Sequence, residues 1–108
     1  MNLPIHKHED DRRTLIEWIG NHPITTCKVI TMKVDGVLGN HYHNHKQDFF
    51  FLLRGSGTYN IGSEIVKFKK DDCLTALPTQ PHSFFLKKGS ILLEASTTPY
   101  NKDDEISI

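Results

Sequence analysis

Short runs rich in Ile, Val, Phe, Thr and Tyr alternate with turn signals along this chain, and that spacing limits the possible folds more than any other feature. Turn signals stand at Gly20-Asn21 and Pro23, Asp35-Gly36, Gly39-Asn40, Gly55-Ser56-Gly57, Gly62-Ser63, Asp71-Asp72, Pro78 to Pro81 and Lys87 to Gly89. The β-prone runs between them cover residues 24–34, 48–54, 58–61, 64–68, 73–77, 83–86 and 90–95. Each is too short for a buried helix and suits a strand. Many short strands joined by glycine turns close into a barrel or stack as a sandwich, because an open sheet would leave its edges bare. The segment RTLIEWI (13–19) fits both periods, with Leu15, Trp18 and Ile19 on a helical face and Thr14, Ile16 and Trp18 in strand alternation. We read it as a strand. An all-β domain filling residues 1–108 is the expected fold, since 12.4 kDa is the usual size of one domain.

Thirteen Lys and Arg balance thirteen Asp and Glu, so no strong field awaits a polyanion or an anionic membrane, and nucleic acid is disfavoured as a partner. No stretch approaches the roughly 20 apolar residues of a membrane span. The opening MNLPIHKHEDDRR is polar where a signal peptide is apolar, which predicts a cytoplasmic protein. Cys27 and Cys73 lack metal-motif spacing and are expected as two buried thiols. Phe49, Phe50 and Phe51 are consecutive, so they face both sides of a strand and need cover on both. A partner subunit would supply it, which predicts a homodimer. The Lys67, Lys69, Lys70 run meets Asp71-Asp72 at once and reads as a solvated turn.

Three of the seven histidines, His41, His43 and His45, fall within five residues. On a strand His41 and His43 share one face, with Cα atoms about 6.5 Å apart, so two imidazoles can converge on one ion. His45 has the same parity but would lie roughly 13 Å from His41 on a straight strand, and we place it at the rim. Zn²⁺, Fe²⁺, Ni²⁺ and Mn²⁺ all accept imidazole nitrogen and carboxylate oxygen. Asp48, after the polar interval Asn44 to Gln47, can return to the same face as a third ligand, with Gln47 a poorer substitute. His82, in the turn-rich LPTQPH, would be a fourth. Tyr59 can present a hydroxyl as an acid. His6 and His8 sit in a polar terminus and read as solvated.

GNHYHNHKQDFFFLLRGSG resembles the first motif of the cupin superfamily, and KKDDCLTALPTQPHSFF the second. Gly39, His41, His43, Asp48 and Gly55 stand in the roles of the first motif, Pro78 and His82 in those of the second. The resemblance implies a single small cupin-type β-barrel with a pocket for a divalent metal. It departs from the pattern twice: Asp48 stands where Glu is usual, and PTQPH lacks the usual glycine. Asp10-Asp11-Arg12 before Leu15, Gly39-Asn40-His41 and STTPYNKDDEI (96–106) are further similar to cupins that rearrange nucleotide-linked or phosphorylated sugars. Some of those ketoisomerases are thought to use the paired histidines without metal, which leaves metal-free action open here.

Three functions compete. The first is an isomerase or epimerase that moves a proton next to the carbonyl of a sugar or nucleotide-linked sugar, with His41, His43 and Tyr59 as catalytic candidates. The second is an Fe²⁺ enzyme using O₂ at His41, His43, Asp48 and His82. The third is a binding domain that holds a small carbohydrate or acid without turning it over.

Overall fold

The computed structural model describes residues 6–98 and 101–107. Pro99 and Tyr100 of the STTPYNKDDEI segment, and residues 1–5 of the polar opening, lie outside them. Eleven strands run in chain order: β1 His6–Glu9, β2 Thr14–Glu17, β3 Thr26–Thr31, β4 Gly36–His43, β5 Asp48–Arg54, β6 Ser56–Ile61, β7 Glu64–Lys69, β8 Cys73–Ala76, β9 His82–Leu86, β10 Ile91–Ser96 and β11 Glu105–Ser107. They form two main antiparallel sheets, in the orders β3-β10-β5-β8 and β11-β4-β9-β6-β7, and β1 pairs with β2 as a separate hairpin. Facing sheets enclose one core, which makes the domain an all-β sandwich-like barrel as its turn spacing predicts. Among the described residues no helix is long and apolar enough to cross a membrane.

The core follows strand alternation. Phe50 and Leu52 of β5, Leu74 and Ala76 of β8 and Leu92 of β10 meet Tyr59, Ile61, Phe68, Phe84 and Leu86 from the opposite sheet. Phe84 is the aromatic hub, 4.6 Å from Phe50 edge to face and 5.7 Å from Phe68. Its neighbour Phe85 points out and is exposed, as period two requires.

All three of Phe49, Phe50 and Phe51 are buried within the single chain, which corrects the source of cover expected for them. Phe50 faces the core, while Trp18 packs on Phe51 at 5.6 Å between ring centroids and His22 on Phe49 at 4.9 Å. The segment after β2 therefore covers the outer face of β5, and the Phe run carries no argument for a dimer. RTLIEWI supplies strand β2, as alternation suggested. The two thiols part company: Cys73 is buried, but Cys27 is exposed on the edge strand β3, because alternation turns it outward there.

Gly39-Asn40, read as a turn, lies inside strand β4. Gly39 (φ 85°) and Asn40 (φ 72°) both take the left-handed conformation, and the β4–β9 register slips there, from Gly39 opposite Ser83 to His41 opposite His82. The two residues form a β-bulge. A side chain on Gly39 would meet the His82 carbonyl oxygen at 3.0 Å, so glycine is needed for both space and conformation.

Candidate active site

The bulge decides what β4 shows to the interior. Leu38 and Phe84 are partners facing the core, and strict alternation from Leu38 would send Asn40 and Tyr42 inward. The extra residue inverts the order, so His41 and His43 face inward instead. His82 joins them as the cross-strand partner of His41. Ring centroids of His41 lie 4.7 Å from those of both His43 and His82, and the three can offer ring nitrogens all within 4.8 Å of one another. Thr79, before His82, adopts φ 68°, so the second motif reaches its left-handed turn without a glycine. The Thr79 amide donates to the His43 carbonyl and ties that turn to β4.

These imidazoles line a cavity of about 100 Å³ between the sheets. Asp48 opens β5 at its floor. Its Oδ2 stands 3.7 Å from His43 Nε2 and 3.8 Å from His82 Nε2, while its Oδ1 accepts a 2.6 Å hydrogen bond from Ser96 Oγ. Lys46, only 4% exposed, places its ammonium 3.3 Å from Asp48 Oδ1 and 3.6 Å from Glu94 Oε2. Glu94 also pairs with Lys28 at 3.6 Å. At the mouth, Glu105 of β11 sets Oε1 3.1 Å from His41 Nδ1. The loop that carries Lys46 is pinned by Asp104, whose carboxylate accepts from the backbone N–H groups of Asn44, His45 and Lys46. Burial pushes the Asp104 carboxyl up, but these bonds and the nearby His45 outweigh it and hold it below the usual carboxylate range.

His43 is 2% exposed, and neither ring nitrogen has a hydrogen-bond partner among the described residues. A buried imidazole with neither nitrogen bonded is uncommon. With His41 and His82 beside it, this donor set fits a divalent ion. Burial, then the Lys46 charge, lowers the His43 pKa. Burial lowers His82 to about 4, against a raising contribution from the contact of its Nδ1 with the Gln80 carbonyl at 3.3 Å. Both rings are therefore neutral at pH 7. Because the folded-state value of His82 lies below that of the unfolded chain, the unfolded chain takes up the proton first. Stability is then full above about pH 6.5 and falls as pH drops toward 4. The loss expected from His82 is about 3 kcal/mol, with His43 acting in the same direction. Urea unfolding with chelator present, at steps from pH 7 to 4, should show this slope, and His82→Asn should flatten it. Equal slopes for the two proteins would show that His82 is not the titrating group.

Tyr59, expected as a candidate acid, is 5% exposed and sits in the core against Phe68 at 5.3 Å, outside the cavity lining. Burial raises its pKa, and its position gives it packing in place of chemistry. His45 is exposed beyond the end of β4, the rim position expected. Gln47 turns its amide to Thr75 Oγ1 at 3.0 Å and away from the cavity. Lys46, Glu94 and Glu105 were not singled out from the sequence. Glu105 carries one readable signal, a carboxylate beside the β-prone Ile106, but its polar neighbours Lys102, Asp103 and Asp104 hide the strand.

The fold has known counterparts. WlaRA, a TDP-fucose-3,4-ketoisomerase from Campylobacter jejuni, superposes with a TM-score of 0.83 at 18% identity, covering 100% of this chain and 88% of that one. QdtA, a sugar 3,4-ketoisomerase from Thermoanaerobacterium thermosaccharolyticum in complex with TDP, also gives 0.83 at 18% identity, with 100% and 87% covered. The rmlC epimerase of Mycobacterium tuberculosis gives 0.83 at 14% identity, with 99% and 67% covered. No curated protein matches the sequence. At such identities the likeness is one of fold. A family profile for the cupin domain matches residues 28–94, which takes in β4, β5 and β9 with the three histidines, and the chain belongs to that family.

Proposed function

We propose that this cupin is an isomerase or epimerase of a nucleotide-linked sugar that moves a proton on the carbon beside a carbonyl. The observation that carries this reading is the His41–Glu105 pair at the mouth of the cavity. A carboxylate can only accept, so Glu105 draws the hydrogen to His41 Nδ1 and leaves the lone pair on Nε2. His41 takes the proton on Nε2, and Glu105 steadies the imidazolium that forms. Negative charge grows on the carbonyl oxygen at the same moment, and Lys46, lining the same cavity, attracts it. His43 and His82, neutral and buried, can hold sugar hydroxyls without adding charge. A divalent ion held by His41, His43 and His82 would polarise the carbonyl as a Lewis acid, and His41 would then be a ligand and no longer a base. The similar solved structures named as ketoisomerases and an epimerase support this substrate class.

The test is a panel of nucleotide-linked keto sugars and phosphorylated ketoses followed by NMR in D₂O, with and without Mn²⁺ or Fe²⁺. Deuterium at the carbon beside the carbonyl, or a new sugar isomer, is the expected result. Neither change across the panel, with oxygen consumed on another small substrate, would replace this reading by the oxygen-using one.

A further inference from the structure

The charged groups around the cavity have an unusual order. Asp48 stands between a cation and the histidines, with Oδ1 toward the Lys46 ammonium at 3.3 Å and Oδ2 toward His43 and His82 at 3.7 and 3.8 Å. Lys46 is as buried as His43 and His82, and its Nζ also reaches Glu94 at 3.6 Å. We infer that Lys46 is a built-in cation that occupies Asp48 and holds the histidine centre at low affinity for divalent metal, so that removing its charge converts the centre into a tight His41, His43, His82 and Asp48 metal site.

Charge counting around the cavity supports this. Its lining carries two cations, Lys28 and Lys46, and three carboxylates, Asp48, Glu94 and Glu105. These formal charges alone sum to one negative charge, and a dication would turn it into one positive charge. Without Lys46 the lining carries two negative charges, which a dication cancels. The Lys46 ammonium lines the same cavity as the three imidazoles, and its repulsion of an ion held there doubles with a double charge. Asp48 turns Oδ2 to the histidines, but Lys46 and the Ser96 hydroxyl both draw on its Oδ1 and so weaken the negative charge it can offer an ion. The inference concerns the cation the site prefers and does not depend on which substrate it takes, so its failure would leave the sugar reading intact.

The test is titration of the full chain, purified without a histidine tag and stripped by chelator, with Co²⁺. The visible absorption of bound Co²⁺ reports its ligands, and competition with a chromophoric chelator gives the affinity. Lys46→Met should bind at least about 100-fold more tightly than the wild type. Lys46→Arg, which keeps the charge, should stay within a few-fold of the wild type, and Asp48→Asn added to Lys46→Met should remove most of the gain. Equal affinity of the wild type and Lys46→Met overturns the inference. Should Lys46→Met not fold, Asp48→Asn in the wild-type background decides: unchanged Co²⁺ affinity supports an Asp48 held by Lys46, and a tenfold or greater loss overturns it.

Discussion

Gly57→Ala is expected to cost at least about 3 kcal/mol of stability, beyond the usual range for an overpacked core. Gly57 lies mid-strand in β6, paired with Phe68 of β7 on one side and Leu86 of β9 on the other. A Cβ there would stand 1.9 Å from the Phe85 carbonyl oxygen, 2.9 Å from its carbon and 3.0 Å from Leu86 Cα. All three are backbone atoms of β9, so no side-chain rotation relieves the clash and the strands must part. Parting them disturbs Phe84 and Leu86, and with them the centre of the core. Gly89 provides the contrast: it has φ 85° but nothing within 4 Å of its Cβ position, so Gly89→Ala should cost only about 1–2 kcal/mol of conformational strain. Urea unfolding of both variants at pH 7 measures the difference. A Gly57→Ala protein within 1 kcal/mol of the wild type, roughly the ordinary effect of a point mutation, would mean that β9 yields far more easily than its pairing indicates.

The second large effect is kinetic. On the substrate identified by the exchange screen, His41→Asn should lower turnover by about 10²–10⁴-fold, the usual worth of a positioned acid or base. Circular dichroism and the urea midpoint should stay close to the wild type, because His41 is only partly buried and at the cavity mouth. Glu105→Gln keeps the shape but loses both the charge that steadies the imidazolium and the acceptor-only group that fixes its tautomer, so a loss between about tenfold and 10⁴-fold is expected. The double variant should be little worse than His41→Asn alone, since Glu105 acts through the ring that is no longer there. Losses that multiply in the double variant would show that Glu105 touches the substrate itself. A His41→Asn protein within threefold of the wild type would move the base to another residue.

The barrel was legible because its turn chemistry is local: glycine and Asx signals stand where the strands end, and alternation sorts Phe84 from Phe85 without knowledge of the partner strand. The paired histidines were legible for the same reason, as two residues of equal parity on one strand. Lys46 was not. It sits in the polar string NHKQD, which by composition belongs in water, and the bonds that fold its loop inward come from far along the chain, among them the Asp104 carboxylate 58 residues away. Glu105 was missed because its strand has three residues and exists only through pairing with β4. Tyr59 shows the converse limit, since an aromatic with a hydroxyl reads the same in a core as in a site until its neighbours are known. The Phe49 to Phe51 run gave the right requirement, cover on both faces, but sequence spacing could not say that Trp18 and His22 of the same chain provide it.

The left-handed pair Gly39-Asn40 makes the contents of the site a matter of counting. Upstream of the pair, even-numbered positions of β4 look inward; downstream, odd-numbered ones do. The strand thus has two frames, and the bulge is the point where one gives way to the other. A regular strand that kept all its residues would present Asn40 and Tyr42 to the cavity and turn both imidazoles of β4 to the outside, whereas loss of Asn40 alone would remove the extra residue together with its bulge and leave His41 and His43 facing inward. The lining therefore depends on the match between residue count and bulge: a one-residue change that the bulge takes up leaves His41 and His43 inward, and one that it does not take up exchanges them for the other face of the strand.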